Sequence, residues 1–593
     1  MSAPVVTYVD SFADLETARG WLAANPGRLA LDTETTGLDV FEDDFEIGVV
    51  AFGHKNGNAL VLNGGDRILV RAVAVEAFKG RKVWAHNANF DAWAIRRVFD
   101  LKLTSLRCTL VAARAAWPGR IEGYALKNLR PTTQTAQDAL RTHWVAVSGN
   151  RMFAKHWLTE AVRNLPSSDA LLVTYCAEDT VETARLAAEL SAIDDVGTRT
   201  GMLAEVRGDQ LWRWAGYDGH RIDEERAVRV HEERKAVSLI EIEHFGFNPA
   251  THSNARKAWV EVHKIVLPLN RKTGKPSMDK EARKSINPPQ ASRTEWNRLA
   301  AACDESFLMT KLGEMLRNTR DGVVHPKIKV NQAVTGRMSI TEPALQNLAG
   351  GLGDDDTSLR GLLISRRGKV LVGCDLSHVE PSVMAALSGD PLLIKHCAPG
   401  MDVYVEAAAA VFGETARETT EAGILTEYAA KQRKVMKVVV LALMYGMGNT
   451  SLSASLGVSP TEAKRVRAKV LSIYPLVGRW IGRMKRETKL GIVPRTVTDR
   501  PLPCLRNTPY ITTNYVIQGS AKDVFAAMTA KVHTALPVGA TLWLPVHDEL
   551  VIECEEVDAE TVKAVLATHM RTELDGVLIW GEPEILGTRW KKA

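Results

Sequence analysis

Apolar residues near the start of the chain gather in short runs, and several of these runs end in polar or acidic side chains. Runs of this length, bounded by polar residues, predict buried strands over residues 28–35, 46–52 and 81–85. From Ser167 to Ala192 the apolar positions recur at helical spacing instead. Strands mixed with helices in this way predict one α/β domain over about the first 195 residues.

The pattern changes after residue 200, and we place the main domain boundary near 195–200. Stretches rich in Arg and Lys, with helical spacing, alternate there with a Gly/Pro-punctuated region and with short apolar runs. The elements predicted in this part are helices over 224–240, 253–265 and 427–445, a strand over 369–375 and a hairpin of 541–546 with 550–553. Thr426 suits the N-cap position of the long helix that begins at residue 427.

Composition excludes several classes of protein. The 593 residues are 45% hydrophobic, which excludes a mainly disordered chain, and no apolar run reaches the length of a membrane span. The seven cysteines stand singly, with no Cys-x-x-Cys pair, and the N-terminus has no basic cluster. We therefore expect reduced thiols, no zinc site, no signal peptide and a cytoplasmic location, meaning the host cytoplasm if the protein is viral.

Charge is distributed unevenly along the chain. The net charge is +5, with 24 acidic and 22 basic residues over 1–200 but 46 acidic and 53 basic residues over 201–593. A mild basic surplus in the second part is compatible with binding to a phosphate backbone, although many enzymes show such a surplus by chance.

Three acidic motifs in the first 195 residues suggest a metal site. Asp32-Thr-Glu34 ends a predicted strand, Asn87-Ala-Asn-Phe90-Asp91 follows another, and Tyr175 lies one helical turn before Asp179. One Asp-x-Glu alone is more often a pair of solvated acids. All three motifs together, in this order, resemble the DEDD-type 3′–5′ exonucleases whose third motif is Tyr-x-x-x-Asp.

This first resemblance implies a two-metal hydrolytic site. Asp32, Glu34, Asp91 and Asp179 would hold two divalent ions, Tyr175 would orient the attacking water, and Asn87 and Phe90 would lie beside the 3′-terminal nucleotide. Hydrolysis of a phosphodiester needs an activated water and a stabilised leaving oxygen, which two metals supply. Carboxylate oxygens suit Mg²⁺ or Mn²⁺.

A second group of motifs lies after residue 330. A predicted strand ends in Asp375 with Glu380 shortly after it, and His547-Asp548-Glu549 lies between the two apolar runs of the predicted hairpin. Residues 433, 437, 441 and 445 are Arg, Lys, Leu and Tyr, and residues four apart lie along one stripe of a helix. Cations at one end and apolar groups at the other match the polarity of a nucleoside triphosphate.

These motifs, together with Thr335-Gly-Arg337-Met-Ser339, Gln346-Asn347 and Asn514-Tyr-Val-Ile-Gln518, resemble the DNA polymerase I family (family A). The resemblance implies that Asp375 and Asp548 hold two catalytic metals and that Glu380 excludes ribonucleotides. It places Arg433 and Lys437 on the triphosphate, with Lys437 also donating a proton to pyrophosphate, and Leu441, Tyr445 and His547 at the nucleotide or primer end. Arg337, Gln346, Asn347, Asn514 and Gln518 would contact the primer–template.

Two departures from the family pattern stand out. Position 441 is Leu where the family usually has Phe or Tyr, so we expect altered handling of dideoxynucleotides. The segment after Asp375 reads His378-Val-Glu380-Pro381-Ser382 and lacks the family's Arg, which puts that residue's local contact in doubt.

The resemblances imply an α/β, RNase H-like exonuclease domain over 1–195 followed by a mixed α/β right-hand polymerase over 196–593. Its palm would comprise 196–224, 321–395 and 497–593, its thumb 225–320 and its fingers 396–496. The expected cofactor is Mg²⁺ or Mn²⁺, two ions per active site. The expected partners are primer–template DNA and dNTPs, with no membrane, a monomeric state, and a helicase or primase that the sequence does not identify.

The motifs begin at residue 32, so we expect no 5′-nuclease domain but a compact, large-fragment-like replicative or repair polymerase, of phage type by analogy. Two other interpretations compete with it. The chain could be a nuclease whose degenerate polymerase-like body only grips DNA, or a non-catalytic nucleic-acid-binding scaffold. The complete sets of acids and the intact cations argue against both, because clustered carboxylates without metal would repel a DNA backbone.

Overall fold

The computed structural model describes residues 3–149, 156–249, 253–268, 276–278, 282–283, 286, 288–348 and 358–591. Contacts between Cα atoms divide the chain into two compact units. The first contains Met1–Tyr217 together with Lys329–Met338 and Arg495–Pro503, and the second contains the remaining segments. Each unit therefore draws on segments that are distant in sequence.

The first unit is built on a six-stranded mixed sheet in the order β1-β4-β3-β2-β5-β6. β1 pairs with β4, β2 with β5, and β5 with β6 in parallel, whereas β3 runs antiparallel to both β2 and β4. Its strands are β1 Val5–Val9, β2 Leu29–Thr35, β3 Ile47–Gly53, β4 Asn58–Asn63, β5 Val83–Ala85 and β6 Arg107–Cys108.

Nine helices belong to the described part of the first unit. They are α1 Leu15–Ala24, α2 Arg67–Phe78, α3 Ala88–Phe99, α4 Thr109–Ala116, α5 Leu126–Leu129, α6 Thr133–Ser148, α7 Trp157–Asn164, α8 Ala170–Ser191 and α9 Val196–Asp218. Helix α8 approaches the sheet closely at Gly53, where a Cβ atom would lie only 2.5 Å from the backbone of Thr180. The absence of a side chain there lets the helix lie directly against β3, next to β2.

The second unit contains two larger antiparallel sheets and a short strand pair. The five-stranded sheet has the order β14-β15-β13-β17-β16, and the four-stranded sheet has the order β12-β7-β9-β8. The strands are β7 His220–Ile222, β8 Thr319–Arg320, β9 Val323–Val324, β10 Lys327–Lys329, β11 Ser339–Thr341, β12 Leu363–Ile364, β13 Lys369–Leu376, β14 Thr541–Val546, β15 Glu549–Glu555, β16 Arg571–Leu574 and β17 Val577–Gly587.

The other regular elements of the second unit are helices. They are α10 Glu224–Phe245, α11 Ser253–Val262, α12 Arg293–Arg317, α13 Val379–Ser388, α14 Pro391–His396, α15 Val403–Phe412, α16 Glu427–Met444, α17 Asn449–Leu456, α18 Pro460–Ile473, α19 Pro475–Leu490, α20 Thr512–Ala535 and α21 Ala559–His569. Among the described residues, none of the helices is both long enough and apolar enough to cross a membrane.

Two short segments from later in the sequence complete the first unit, and one of them, Arg495–Pro503, forms two ion pairs with it. Arg495 pairs with Asp195 at 3.1 Å, and Arg500 pairs with Glu205 of α9 at 3.4 Å. The Arg500 and Glu205 side chains are 3% and 1% exposed, so this second ion pair is fully buried.

The structure confirms the elements predicted from the hydrophobic pattern. The predicted helix over 427–445 is α16, and the Thr426 side chain caps it by accepting a hydrogen bond from the Ala429 amide. The predicted hairpin is formed by β14 and β15. Parts of the predicted thumb and palm (250–252, 269–275, 279–281, 284–285, 287 and 349–357) and residues 150–155 of the predicted first domain lie outside the described residues.

Candidate functional site

The four acids of the exonuclease-like motifs come from three elements of the first unit. Asp32 and Glu34 lie on β2, Asp91 lies in the first turn of α3, and Asp179 lies on α8. One oxygen of Asp32, one of Glu34 and the sulfur of Cys176 lie within 4.8 Å of one another. The fold therefore brings together carboxylates that are up to about 150 residues apart in sequence.

Burial of these acids raises their pKa values. The pKa of Glu34 rises to about 8 and those of Asp91 and Asp179 to about 7, mainly because burial penalises the ionised form. The pKa of Asp32 is raised for the same reason and further by the charges of Glu34, Asp91 and Asp179. A group of buried acids with few compensating cations has the electrostatics of a site that binds metal cations.

Tyr175 lies with Asp179 on α8, as their spacing predicts, and the nearby Tyr175 hydroxyl acts to lower the pKa of Asp179. Burial raises the pKa of Tyr175, so its hydroxyl stays protonated and able to donate. The Oδ1 atom of Asp179 is buried without a hydrogen-bond partner among the described residues. An unsatisfied carboxylate oxygen in such a group fits a metal ligand.

Side chains that the sequence analysis did not identify support the four acids. Thr33 donates a hydrogen bond of 2.8 Å to Asp91, and the Cys176 thiol points at Asp32 with a distance of 3.8 Å. The buried Arg213 of α9 binds Asn89 and Asp209. Thr33 lies between the two acids of the first motif and Asn89 lies within the second motif. Their positions inside the motifs could therefore have identified both as supporting residues. Nothing local marks Arg213.

Asn87 and Phe90 lie at the start of α3, next to Asp91. Asn87 is the N-cap residue, with a left-handed backbone and an exposed side chain that makes no capping hydrogen bond. The ring of Phe90 meets that of Phe45 edge-on at 6.5 Å. A polar and an aromatic side chain therefore lie at the edge of the acidic group, where a nucleotide could contact them.

In the second unit, the sheet brings Asp375 next to Asp548. Asp375 is the last residue but one of β13, opposite Glu549 of β15, and the Leu376 amide donates a hydrogen bond of 3.2 Å to the backbone carbonyl of Asp548. Both acidic side chains are partly exposed. His547 and Asp548 form the turn between β14 and β15, where His547 is exposed and has φ +59°.

The acid that follows Asp548 anchors this turn. Glu549 accepts a hydrogen bond of 3.1 Å from Arg360 and another of 3.1 Å from the Trp590 indole, while Arg360 stacks on the Trp590 ring. Glu549 is buried, so its charge is compensated by a cation and an indole donor. The sequence places Glu549 in the motif but gives no sign of its two partners, which come from distant parts of the chain.

The predicted stripe lies on α16, where Arg433, Lys437 and Leu441 follow one another at four-residue steps, and Tyr445 caps the C-terminal end. The Tyr445 hydroxyl donates a hydrogen bond of 2.9 Å to Glu380. This contact joins the helix to α13, the helix that follows Asp375. The structure thus brings two motifs together that the sequence analysis could only treat separately.

Asp402 and Tyr404 belong to the same cluster, and the sequence analysis missed both. Arg433 binds Asp402 at 2.7 Å, and the Arg433 and Lys437 cations each lie 5.8 Å from the centre of the Tyr404 ring. The ring of His378 meets Tyr404 edge-on. Asp402 also caps α15, and an acid before an apolar helix was a signal that could have been found.

The Thr335–Arg337 loop belongs to the first unit, where Arg500 holds it. The Arg500 guanidinium donates a hydrogen bond of 2.9 Å to the Thr335 carbonyl. Gly336 has φ +90°, and a Cβ there would lie 2.7 Å from Arg500. Glycine is therefore required at this position both by the backbone conformation and by the packed guanidinium.

The remaining predicted contact residues lie on two elements of the second unit. Gln346 and Asn347 belong to a short 3₁₀ helix, where the Gln346 side chain accepts a hydrogen bond from the Ile340 amide. Asn514 and Gln518 lie on α20, one turn apart, and the Asn514 Oδ1 atom is buried without a partner among the described residues.

Comparison with known proteins agrees with both halves of this description. Residues 223–581 match the model of DNA polymerase family A, and residues 7–193 match a 3′–5′ exonuclease family. The chain belongs to DNA polymerase family A and carries a 3′–5′ exonuclease domain at its N-terminal side. Both families use divalent metal ions.

Relatives and a solved structure extend the comparison over nearly the whole chain. The DNA polymerase of Mycobacterium phage L5 is 26% identical over 99% of this chain and 96% of its own length. DNA polymerase I of Aquifex aeolicus is 29% identical over 48% of each chain. The POL domain of Pol1 from M. smegmatis, in complex with DNA primer-template and dNTP, shares the fold with a TM-score of 0.75 at 20% identity, covering 98% of this chain and 99% of that one.

Proposed function

We propose that the chain extends a primer strand on a DNA template at Asp375 and Asp548, and removes 3′-terminal nucleotides at Asp32, Glu34, Asp91 and Asp179. The observation that carries the proposal is the pairing of β13 with the β14–β15 hairpin, which brings the two polymerase acids together. We assign palm, thumb and fingers to the ranges predicted from the sequence, so that the α16 stripe belongs to the fingers.

The polymerase site would hold two Mg²⁺ or Mn²⁺ ions on Asp375 and Asp548. When bound, such ions activate the attacking oxygen and stabilise charge on the transferred phosphoryl group and the leaving group. The chain supplies the remaining positioning. Arg433 and Lys437 bind the triphosphate, and Lys437 is also the proton donor to pyrophosphate.

The other end of the stripe would set nucleotide choice. Leu441 lies beside the sugar of the incoming nucleotide and Tyr445 near the templating base, and Glu380 blocks a 2′-hydroxyl group. The hydrogen bond from Tyr445 fixes the Glu380 carboxylate, which supports the assignment of Glu380 as the group that discriminates against ribonucleotides. His547, exposed on its turn, would contact the primer end.

The primer–template would lie against Arg337, Gln346, Asn347, Asn514 and Gln518. These are amide and guanidinium donors, which can meet the acceptors that every base pair presents in the minor groove. The partners of the chain are then DNA and dNTPs, and we infer that it acts as a monomer. The Pol1 structure that shares its fold was solved with the same two ligands.

In the exonuclease site the four acids would hold two divalent ions, and Tyr175 would orient the attacking water. The fit rests on the unsatisfied Asp179 oxygen and on the raised pKa values, since cations are what such a group of acids lacks. Asn87 and Phe90 would hold the terminal nucleotide. Hydrolysis of mispaired primer ends would make this a proofreading activity.

Reciprocal variants test the assignment. Asp375→Asn or Asp548→Asn should abolish extension of a labelled primer with Mg²⁺ and four dNTPs but spare hydrolysis of a single strand. Asp32→Ala with Glu34→Ala should do the reverse. Glu582→Gln, an exposed acid opposite Asp375 on β17, is the matched control and should leave both activities intact.

The same assays separate the alternatives. A nuclease with a non-catalytic DNA-gripping body would show hydrolysis but no primer extension in the wild type, and a binding protein would show neither. Primer extension that survives Asp375→Asn, or hydrolysis that survives the Asp32 and Glu34 double variant, would contradict the corresponding site.

A further inference from the structure

A second concave site lies in the first unit, at the opposite end of the strands from the acids. Arg28 immediately precedes β2 and Lys82 immediately precedes the parallel strand β5, so both lie at the amino-terminal edge of the sheet. At about 3.3 Å per residue, Arg28 is about 13 Å from Asp32 along the strand. The pocket encloses about 410 Å³, and its ten lining residues include the cationic Arg28, Lys82, Arg107, Arg199 and Arg207.

The positive charge of this pocket is not compensated by any acidic residue of its lining. Five of the ten lining residues are cationic and none is acidic. The Nε atom of Arg28 is buried and has no hydrogen-bond partner among the described residues. Burial lowers the pKa values of Arg28 and Arg107, and the neighbouring Arg28 and Arg207 charges lower that of Arg107 further. Five converging cations, three of them half-buried, together with a buried Nε–H group that lacks a partner favour an anionic ligand.

Part of the opposite wall is apolar. Helix α9 contributes Met202 and Val206, which belong to a buried core cluster, together with the exposed Leu203. On the cationic side, the Arg107 guanidinium lies over the ring of the buried Trp84, 5.6 Å from its centre, so its position is fixed by packing. The site therefore combines cations from the strand ends with an aliphatic stretch of α9, a helix that also contributes Arg199, Arg207 and Gln210 to the lining.

We propose that this pocket binds a nucleoside phosphate, with its phosphates on Arg28, Lys82 and Arg107 and its base or sugar against the α9 wall. Arginine and lysine together give the directional and point-charge contacts that phosphate oxygens accept. The volume lies within the roughly 300–1,000 Å³ of small-molecule sites, whereas a bare phosphate would leave the apolar wall unused. This site is separate from both catalytic centres, and the inference does not depend on their assignment.

The test measures nucleotide binding to the chain in EDTA, with calorimetry and amide hydrogen exchange as the two readouts. Arg433→Ala with Lys437→Ala is introduced as the background, so that the proposed polymerase nucleotide site does not contribute. The probes are dATP, dAMP and pyrophosphate. We expect dATP to bind and to protect amides of Val196–Asp218, with dAMP weaker and pyrophosphate weakest.

Variants of exposed lining residues keep the test independent of folding. Lys82→Gln with Arg207→Gln should weaken dATP binding by about tenfold or more, since the hydrogen bond from the charged Lys82 alone is worth about that factor and loss of the Arg207 charge adds to it. Lys82→Arg keeps the positive charge, so this variant should retain most of the dATP affinity of the background variant. Arg141→Gln, an exposed arginine on α6 outside the pocket, is the matched control and should bind as the background does.

Three results would overturn the proposal. One is the absence of dATP binding in the background variant. Another is dATP binding that the Lys82 and Arg207 changes leave at the level of the Arg141 control. The third is protection of α9 by a single-stranded oligonucleotide but by none of the small probes, which would make the surface a contact for a DNA backbone.

Discussion

Replacing Glu34 with Gln should stabilise the metal-free first unit at alkaline pH. Glu34 is a buried acid beside three others, and its pKa is raised from 4.5 to about 8, first by burial and then by the charge of Asp179. Gln has nearly the same shape but no charge, so it avoids the cost of ionising a carboxyl group in this environment.

The magnitude and the pH window follow from the raised pKa. The folded chain binds the Glu34 proton more tightly than the unfolded chain does, so the stabilising contribution is complete below pH 4.5. It is lost as the pH rises from about 4.5 to about 8. By pH 8 the loss is about 4 kcal/mol for this one group. We expect Glu34→Gln to recover a large part of it at pH 8 and none at pH 4.

Amide hydrogen exchange is the suitable assay, because a chain of two units does not unfold in one step. Exchange of β2 and α8 amides in EDTA should speed up between pH 5 and pH 8 in the wild type, after correction for intrinsic rates, but much less in Glu34→Gln. Mn²⁺ should slow exchange in the wild type more than in the variant. Glu46→Gln, an exposed acid in the same unit, is the control. An equal pH dependence in wild type and Glu34→Gln would refute the reasoning.

Three further substitutions test the polymerase contacts and the buried ion pair. Leu441→Tyr should raise the ratio of dideoxynucleotide to deoxynucleotide incorporation, because Leu offers the sugar no polar contact. Single-nucleotide insertion measures this ratio, and an unchanged ratio would exclude a role for residue 441 in sugar selection. Tyr445→Phe removes the hydrogen bond to Glu380 and should reduce ribonucleotide exclusion by about tenfold, read from the same assay. Glu205→Gln removes a buried ion pair with Arg500 and should destabilise the first unit by about 3–5 kcal/mol, read from amide hydrogen exchange, whereas a loss of less than 1 kcal/mol would contradict the burial argument.

Local patterns were enough to predict the elements that carry the acids. The apolar run before Asp32 predicted β2, and the helical spacing of Tyr175 and Asp179 placed both on one face of α8. These predictions hold because the hydrophobic periodicity of a strand or helix and the capping of a helix depend on residues within about five positions along the chain. For the same reason, the hairpin that carries Asp548 was predictable from its two flanking apolar runs.

The partners of these residues could not be predicted, because they are set by distance in space. Glu549 is held by Arg360, 189 residues away in sequence, and Arg433 by Asp402 at the start of another helix. No local pattern records such pairs, since any exposed-looking Arg or Asp is equally compatible with solvent. The cationic pocket was missed for the same reason: its members lie on two strand ends, one short strand and α9.

The late segments of the first unit carry a consequence for how the chain is synthesised. Arg495 and its partner Asp195 are 300 residues apart in sequence, and the buried Glu205 and its partner Arg500 are separated by nearly as many residues. At about 5–20 residues per second, the ribosome needs roughly 15–60 s to supply them. The first unit therefore emerges early but without the arginine that forms the buried ion pair with Glu205, and a proteolytic fragment ending at Tyr217 would lack this ion pair permanently.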